Sequence, residues 1–364
     1  MRILFIRVIG RKKFGGGERW VVNAAAALRD RGHKVFVAGG KGGVLLNEAE
    51  AKRLDTLPFT SNLFNLPVKA FALSRFLRRE KIDLLVCMGR ELTLAGLAAR
   101  WGGKPAIIRR ASSPPSKNVW KIKLRARWFV DGVVTNTDTI RKAYDRIGLG
   151  NDDFIKVIYN GIQLDDEVAA YDFSKEFPGR TIALCVGRAV ADKGYFHLLD
   201  ALPSIHKACP ELLFYLIGDG KDLEKLRQYA KEKGVEHSIH FAGYILQPVS
   251  YYKACDLFVH PSLYEGMPNA PMEAMAYGKP VVMTRVDGAD ELSNRGQHAL
   301  LIPPADPEAI ARAVISALQQ PTRMKAMGEA ARTFVRMQFN KEARMAELEQ
   351  FLIQRLVNKR KNGR

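Results

Sequence analysis

Residues 181–194 read TIALCVGRAVADKG. A short apolar run ends in Gly187, an arginine follows, and the loop closes on Lys193-Gly194 before a helical pattern over 195–208. Such a run, apolar throughout and met at once by a helix, is the signature of a buried parallel strand opening a strand-loop-helix unit. Downstream the unit recurs: LLFYLIGDG (212–220) with a helix at 221–233, IHFAG (239–243), DLFVHPS (256–262), a helix carrying Glu273, and PVVMTR (280–285). Upstream it has already run once: ILFIRV (3–8), a helix over Glu18–Arg31, KVFVAG (34–39), a helix near 68–80, DLLVCM (83–88), the helical ELTLAGLAARWG (91–102), PAIIRR (105–110) and GVVTNT (132–137).

Two rounds of this alternation predict an α/β chain of two Rossmann-like, doubly wound parallel-sheet domains facing each other across a cleft. The length of 364 residues supports two domains, since one core stops growing near this size. The polar, aperiodic stretch DDEVAAYDFSKEFPGR (165–180) reads as the linker. We therefore expect an N-terminal domain over 1–170, a C-terminal domain over 178–340, and a final helix, about 341–364, packing back on the first. Ligands of such sheets sit outside the carboxyl ends of the strands, which directs attention to the loops.

The composition narrows the class. Four cysteines, Cys87, Cys185, Cys209 and Cys255, stand singly and read as reduced core residues of a cytoplasmic protein. The apolar start is broken by Arg7, which suits a strand and not a signal peptide, and no apolar run approaches the ~20 residues of a membrane span. The net charge of +19 is concentrated: between Arg100 and Arg146 stand 12 Lys/Arg against Asp131, Asp138 and Asp145. RFLRREK (75–81) and the tail NKRKNGR (358–364) add to it. This clustering predicts attraction to a polyanion, whether nucleic acid, anionic membrane or phosphorylated glycolipid. Within it SKNVWKIKLRARWFV (116–130) has apolar residues at 119, 122, 124, 128 and 129, the pattern of an interfacial helix.

Three loops carry candidate chemistry. FGGGERW (14–20) follows the first strand and opens a helix, so backbone amides at Gly16 and Gly17 can approach a phosphate or sugar. It is neither a GxGxxG fingerprint nor a Walker loop. In VGRAVADKG (186–194), Arg188 and Lys193 follow a strand and are suited to a diphosphate, arginine as a planar fork and lysine as a point charge. EGMPNAPMEAMAYGKP (265–280) places Glu265 in a loop and Glu273 about one turn into the next helix. As an acid-base pair for hydrolysis they are badly placed, because both come from one short segment while a hydrolase needs carboxyls on opposite sides of the bond. They can instead accept hydrogen bonds from vicinal hydroxyls, or in the case of Glu273 favour the helix N-terminus. Asp165-Asp166 and Asp152-Asp153 make no suitable metal loop; His260 ends a strand, while His197, His206, His237 and His240 fall on helices or surfaces, and no metal ligand is expected among them.

The motifs in order resemble glycosyltransferase family 4, retaining GT-B enzymes of the group 1 type, nearest in style to those of bacterial lipopolysaccharide and the cell envelope. FGGGERW is similar to the family's GG-x-E loop, KVIYNGI (156–162) to its domain junction, VGRAVADKG to G-R-x4-K-G, and EGMPNAPME to E-x7-E; LIGDG, HFAGY, HPSLYEG and HALLIPPADPEAI keep the expected order. The resemblance implies a metal-independent transferase without a cofactor, moving a hexose-type sugar with retention from a nucleotide-diphosphate sugar to a lipid-linked or lipopolysaccharide-type acceptor. It implies that Glu273 holds the ribose and Glu265 the donor sugar, with Gly266, Met267 and Asn269 completing the sugar and phosphate pocket. Arg188 and Lys193 would bind the diphosphate, Tyr244 and Ile245 would flank the base, and Gly16 and Gly17 would approach from the other domain. One departure stands out: where many members carry a histidine after the strand that here reads PAIIRR, this chain has Arg109 and Arg110, assigned here to acceptor or sugar contact. The expected partners are the nucleotide sugar, an anionic glycolipid or glycan, and the anionic cytoplasmic face of the inner membrane, with no nucleic acid. A nucleotide-sugar epimerase of the same architecture and a non-catalytic polyanion-binding protein are the competing readings.

Overall fold

The structure, a computed structural model, describes residues 1–8, 15–59, 65–89, 91–115, 118–149 and 153–361. Phe14 of the glycine loop, Lys117 of the basic stretch, Asp152 and the last three residues of the basic tail lie outside the described residues. The chain divides into two compact units, Met1–Gly161 with Lys341–Arg364, and Ile162–Asn340.

In the first unit the strands are β1 (Arg2–Ile6), β2 (Lys34–Gly39), β3 (Asp55–Pro58), β4 (Leu84–Cys87), β5 (Ala106–Ala111), β6 (Gly132–Thr135) and β7 (Ile155–Val157). Between them run α1 (Gly16–Asp30), α2 (Val44–Ala51), α3 (Leu66–Arg79), α4 (Leu92–Trp101), α5 (Val119–Phe129) and α6 (Asp138–Arg146). The sheet order is β3-β2-β1-β4-β5-β6-β7, and every pairing is parallel. The winding reverses between β1 and β4, so the loops after these two strands open the crevice at the switch point. β4 and β6 are buried at every position because helices cover both faces of the sheet.

The second unit has β8 (Thr181–Val186), β9 (Leu212–Ile217), β10 (Ile239–Gly243), β11 (Leu257–His260), β12 (Val281–Thr284) and β13 (Leu300–Ile302). Its helices are α7 (Tyr195–Ala208), α8 (Leu223–Glu232), α9 (Val249–Ala254), α10 (Asn269–Ala276), α11 (Ala289–Leu292), α12 (Pro307–Gln319) and α13 (Pro321–Gln338). The order is β10-β9-β8-β11-β12-β13, again parallel throughout. A last helix, α14 (Lys341–Lys361), returns to the first unit, where Met345, Leu348, Phe351 and Leu352 share a core with Ile3, Phe5 and Leu84.

One reading of the sequence changes. Residues 162–170 belong to the second unit and not to the first. The reason is specific bonding: the Asp165 amide donates to the Tyr277 hydroxyl at 3.0 Å, Lys253 Nζ donates to the carbonyls of Asp166 and Val168 at 2.8 and 2.6 Å, and Arg336 pairs with Asp166 at 3.0 Å. In α5, Val119, Ile122 and Phe129 are half-buried, whereas Leu124 and Trp128 from the predicted apolar face are exposed together with Trp120. The helix turns part of its apolar surface outward.

Candidate active site

Three adjacent strands of the second unit, β9, β8 and β11, send loops from their carboxyl ends that bind one another through the backbone. After β8, the Ala189 amide donates to the Asp219 carbonyl at 3.0 Å, and the Asp222 amide donates back to the Ala189 carbonyl at 3.1 Å. The Asp222 carboxylate accepts from the Ala191 amide at 3.0 Å, and the Leu263 amide donates to the Asp192 carbonyl at 2.8 Å. Gly194 closes the loop with φ of +69°, and a Cβ there would lie 1.9 Å from the Pro261 oxygen. No other residue fits a left-handed turn pressed this closely on a neighbouring backbone. Lys193, one residue earlier, is therefore held on the β11 loop.

That loop supplies Glu265. Lys193 Nζ donates to its Oε1, His260 Nε2 lies 3.3 Å from the same oxygen, and the Ser262 hydroxyl donates to it at 3.4 Å. All three donors use Oε1, and among the described residues no hydrogen bond occupies Oε2. Burial pushes the Glu265 carboxyl up, but the His260 bond and the Lys193 charge outweigh it and hold it down to about 2. Burial lowers His260 below its ordinary value despite the carboxylate, so the ring is neutral near pH 7 and its Nε2–H is the donor. The result is a fixed, ionised carboxylate with one oxygen available to hydroxyl donors.

The other predicted residues of this unit lie on the β8 loop, on the segment leading into α10, on α10 itself and after β10. Arg188 is exposed on the β8 loop, and no carboxylate pairs with it among the described residues. Gly266 and the buried Met267 lead into α10, whose first residue is Asn269. Glu273 is half-buried within that helix, one turn before Tyr277. Tyr244, 69% exposed, and the half-buried Ile245 form the turn after β10. Among the described residues no three His, Cys, Asp or Glu side chains gather as a metal set. Sequence reasoning left Ser262 unassigned and placed His260 at a strand end where it can face the cleft, without linking it to Glu265; the spacing H-x-S-x-x-E over 260–265 was the available signal.

The first unit carries its own polar cluster at the carboxyl edge. The Gly15 amide donates to Glu18 Oε2 at 2.9 Å, and Arg7 Nε donates to Glu18 Oε1 at 2.8 Å, so the carboxylate organises the start of α1, where Gly16 and Gly17 lie. Arg7 also lies 3.9 Å from Glu91, whose carboxyl is pushed up by burial. Arg109 and Arg110 in β5 diverge, as alternate strand positions must. Arg110 is buried at 2% exposure, its guanidinium 4.0 Å from the Trp20 ring centroid and its Nη2 donating to Asn160 at 2.8 Å. Burial and the nearby Arg7 lower it to about 9, with Glu18 acting the other way. Arg109 is half-buried and lies 5.5 Å from the Tyr144 ring. Arg110 is thus committed to Trp20 and Asn160 within its own unit, a role that the sequence did not disclose.

The chain is similar to known proteins in sequence and in fold. The family Glycosyl transferases group 1 matches residues 169–334, and Glycosyltransferase Family 4 matches residues 14–166. The lipopolysaccharide core biosynthesis glycosyltransferase LpsE of Rhizobium meliloti is 27% identical over 338 residues, 91% of this chain and 94% of its own. A GDP-mannose-dependent alpha-(1-6)-phosphatidylinositol monomannoside mannosyltransferase of Mycolicibacterium smegmatis is 32% identical over 162 residues, 42% of each chain. In three dimensions HepE of Anabaena, solved in complex with UDP and glucose, matches with a TM-score of 0.83 and 23% identity over 97% of this chain and 99% of its own. That likeness concerns the fold, a GT-B pair of parallel-sheet domains.

Proposed function

This chain belongs to the glycosyl transferases of group 1 and family 4, and from that membership we propose that it transfers a hexose from a nucleotide-diphosphate sugar to a hydroxyl of a lipid-linked or lipopolysaccharide-type glycan, with retention. The observation that carries the proposal is the Lys193–Glu265–His260 cluster, beside an exposed Arg188, at the carboxyl end of the second sheet. Ionised Glu265 accepts from donor-sugar hydroxyls through Oε2, and Glu273 accepts from the ribose. Arg188 and Lys193 face the diphosphate and offset the charge that grows on it as it leaves. The bond from the anomeric carbon to the diphosphate breaks with its electron pair on the phosphate oxygen. The acceptor oxygen bonds that carbon from the same side, and its proton passes to a phosphate oxygen. No metal or protein nucleophile takes part in this scheme.

Support for the acceptor class comes from the basic character of the first unit and from what the relatives are named for. The same observations favour work at the cytoplasmic face of a membrane. The test is a thermal-shift screen of UDP, GDP and ADP sugars, because a ligand of the folded state raises its apparent stability. Transfer is then assayed with the best donor. Lys193→Ala is expected to lose about 100-fold or more of the rate, the scale of removing a charge-stabilising group, and Glu273→Ala to lose activity through weakened donor binding at the ribose. Full turnover by either variant sinks the assignment of roles.

A further inference from the structure

The loop after β11 is bonded to both neighbouring strand ends. The Thr284 hydroxyl, at the end of β12, donates to the Ser262 carbonyl, and the Leu263 amide donates to the Asp192 carbonyl of the β8 loop at 2.8 Å. The Ser262 hydroxyl is shared between Glu265, the Asp192 carbonyl at 3.2 Å and the Tyr264 carbonyl at 3.3 Å. The backbone that carries Tyr264 is therefore held from two sides.

On this held backbone the side chains divide. Ser262 is fully buried, and the Glu265 side chain, gripped by Lys193 and His260, is 18% exposed. Tyr264 between them goes the other way: at 75% it is the most exposed large apolar side chain among the described residues. Tyr195, Tyr215 and Tyr252 of the same unit, whose rings serve the fold, are at most 4% exposed. A single apolar side chain at a surface is ordinary. What distinguishes Tyr264 is a ring unused by the fold, fixed at its backbone and adjacent in sequence to the carboxylate that organises the site. With two side-chain torsions such a ring loses little freedom when it is covered, so it is a preformed contact surface.

The occupant follows from the chemistry of the ring. The face of an aromatic ring is electron-rich. A pyranose presents C–H bonds on its faces, with slightly positive hydrogens, while its hydroxyls project from the rim. It can lay a C–H face on tyrosine and keep the hydroxyls for polar partners. The donor hexose is assigned to Glu265 Oε2, and Tyr264 points away from the cluster that fixes Glu265.

We infer that Tyr264 is a specificity-determining platform on which a pyranose ring of the acceptor packs its C–H face. The second unit, besides holding the donor, then takes part in choosing the acceptor. Naming that sugar as the acceptor rests on the transferase reading; the stacking itself does not.

The experiment takes the full chain with methyl α-glucoside, methyl α-galactoside and methyl α-mannoside as probes, in saturation-transfer difference NMR, without nucleotide and with UDP. Saturation should pass to the C–H protons of at least one glycoside in wild type, Tyr264→Phe and Tyr264→Trp, and be lost in Tyr264→Ala. In transfer to a delipidated glycan acceptor, Tyr264→Ala should raise the acceptor KM about tenfold, the scale of one lost ring contact, with donor KM and kcat within about twofold. The side chain is exposed, so an unchanged far-UV spectrum and unfolding temperature show that the variants fold. A wild type that passes saturation to none of the three probes overturns the inference. So does a Tyr264→Phe variant that falls with Tyr264→Ala, since the hydroxyl and not the ring face is then the contact. Loss in Tyr264→Ala of the extra thermal shift that a nucleotide sugar gives over its nucleoside diphosphate also overturns it, by giving the ring to the donor hexose. Failure of the transferase reading looks different: no nucleotide sugar stabilises the wild type, while saturation of the glycosides still depends on the Tyr264 ring.

Discussion

Glu265 is the residue on which the second unit's chemistry converges, and its value lies in being ionised while partly buried. Lys193 and His260 both reach Oε1, so removing one leaves the carboxylate with fewer donors in a poorly solvated place. A double-mutant cycle of Lys193→Ala and Glu265→Gln should therefore show a coupling of about 1–3 kcal/mol in unfolding free energy. Simple additivity would mean that the pair is a surface contact. The same carboxylate makes stability depend on pH. Its folded value of about 2 lies below the ordinary 4.5, so its contribution is complete above about 4.5 and is lost as pH falls toward 2. His260 acts with the same sign, because its depressed value lets the unfolded chain take up the proton first as pH falls below 6.5. The gap in unfolding temperature between wild type and Glu265→Gln is expected to shrink between pH 5 and pH 2.5, by circular dichroism; a constant gap contradicts the account. EGMPNAPME marked Glu265 as a candidate carboxylate for hydroxyl donors, but its partner Lys193 stands 72 positions away, beyond any periodicity.

At the scale of elements, the alternation of apolar runs and helical patterns was legible because burial on both faces of a parallel sheet leaves a continuous apolar strand. α7 occupies Tyr195–Ala208, the span its periodicity predicts, and β10 likewise occupies Ile239–Gly243. β3, with no buried residue, and the short helix α2 left no comparable trace. Two glycines matter more than the strands around them. Gly194→Ala places a Cβ against the Pro261 oxygen at a positive φ, so the loop carrying Lys193 must move. We expect a lower unfolding temperature and loss of the donor-induced thermal shift; a variant that keeps both contradicts the fixed-loop account. Gly96→Val forces Phe129 off α4. Its expected outcome is a lower unfolding temperature of the first unit with the donor shift intact, since α5 and the second unit's loops belong to different folding units.

At the scale of the whole molecule, the chain leaves the first unit at Gly161 and returns at Lys341, and a Cβ on Gly161 would lie 2.5 Å from the Lys341 Cα. α14 then completes the first unit. Met345, Leu348, Phe351 and Leu352 enter its core, while Arg31 and His33 bind Glu349 at 2.6 and 2.7 Å and Lys359 binds Asp131 at 2.7 Å. Four buried side chains at about 1.5–3 kcal/mol each are comparable with the 5–15 kcal/mol that holds a typical domain together. Truncation after Asn340 should abolish the first unit's calorimetric transition while leaving that of the second. Two surviving transitions would show α14 to be peripheral.

The amino-acid order alone determined that this is a two-round α/β chain and which loops carry candidate residues, because hydrophobic period and loop residues are local properties. Where 162–170 belong, which partner holds Glu265 and that Arg110 turns inward onto Trp20 were decided only by tertiary structure. Each depends on what a distant segment presents across a contact, and a helix or strand pattern read in isolation has two faces and no means of choosing between them.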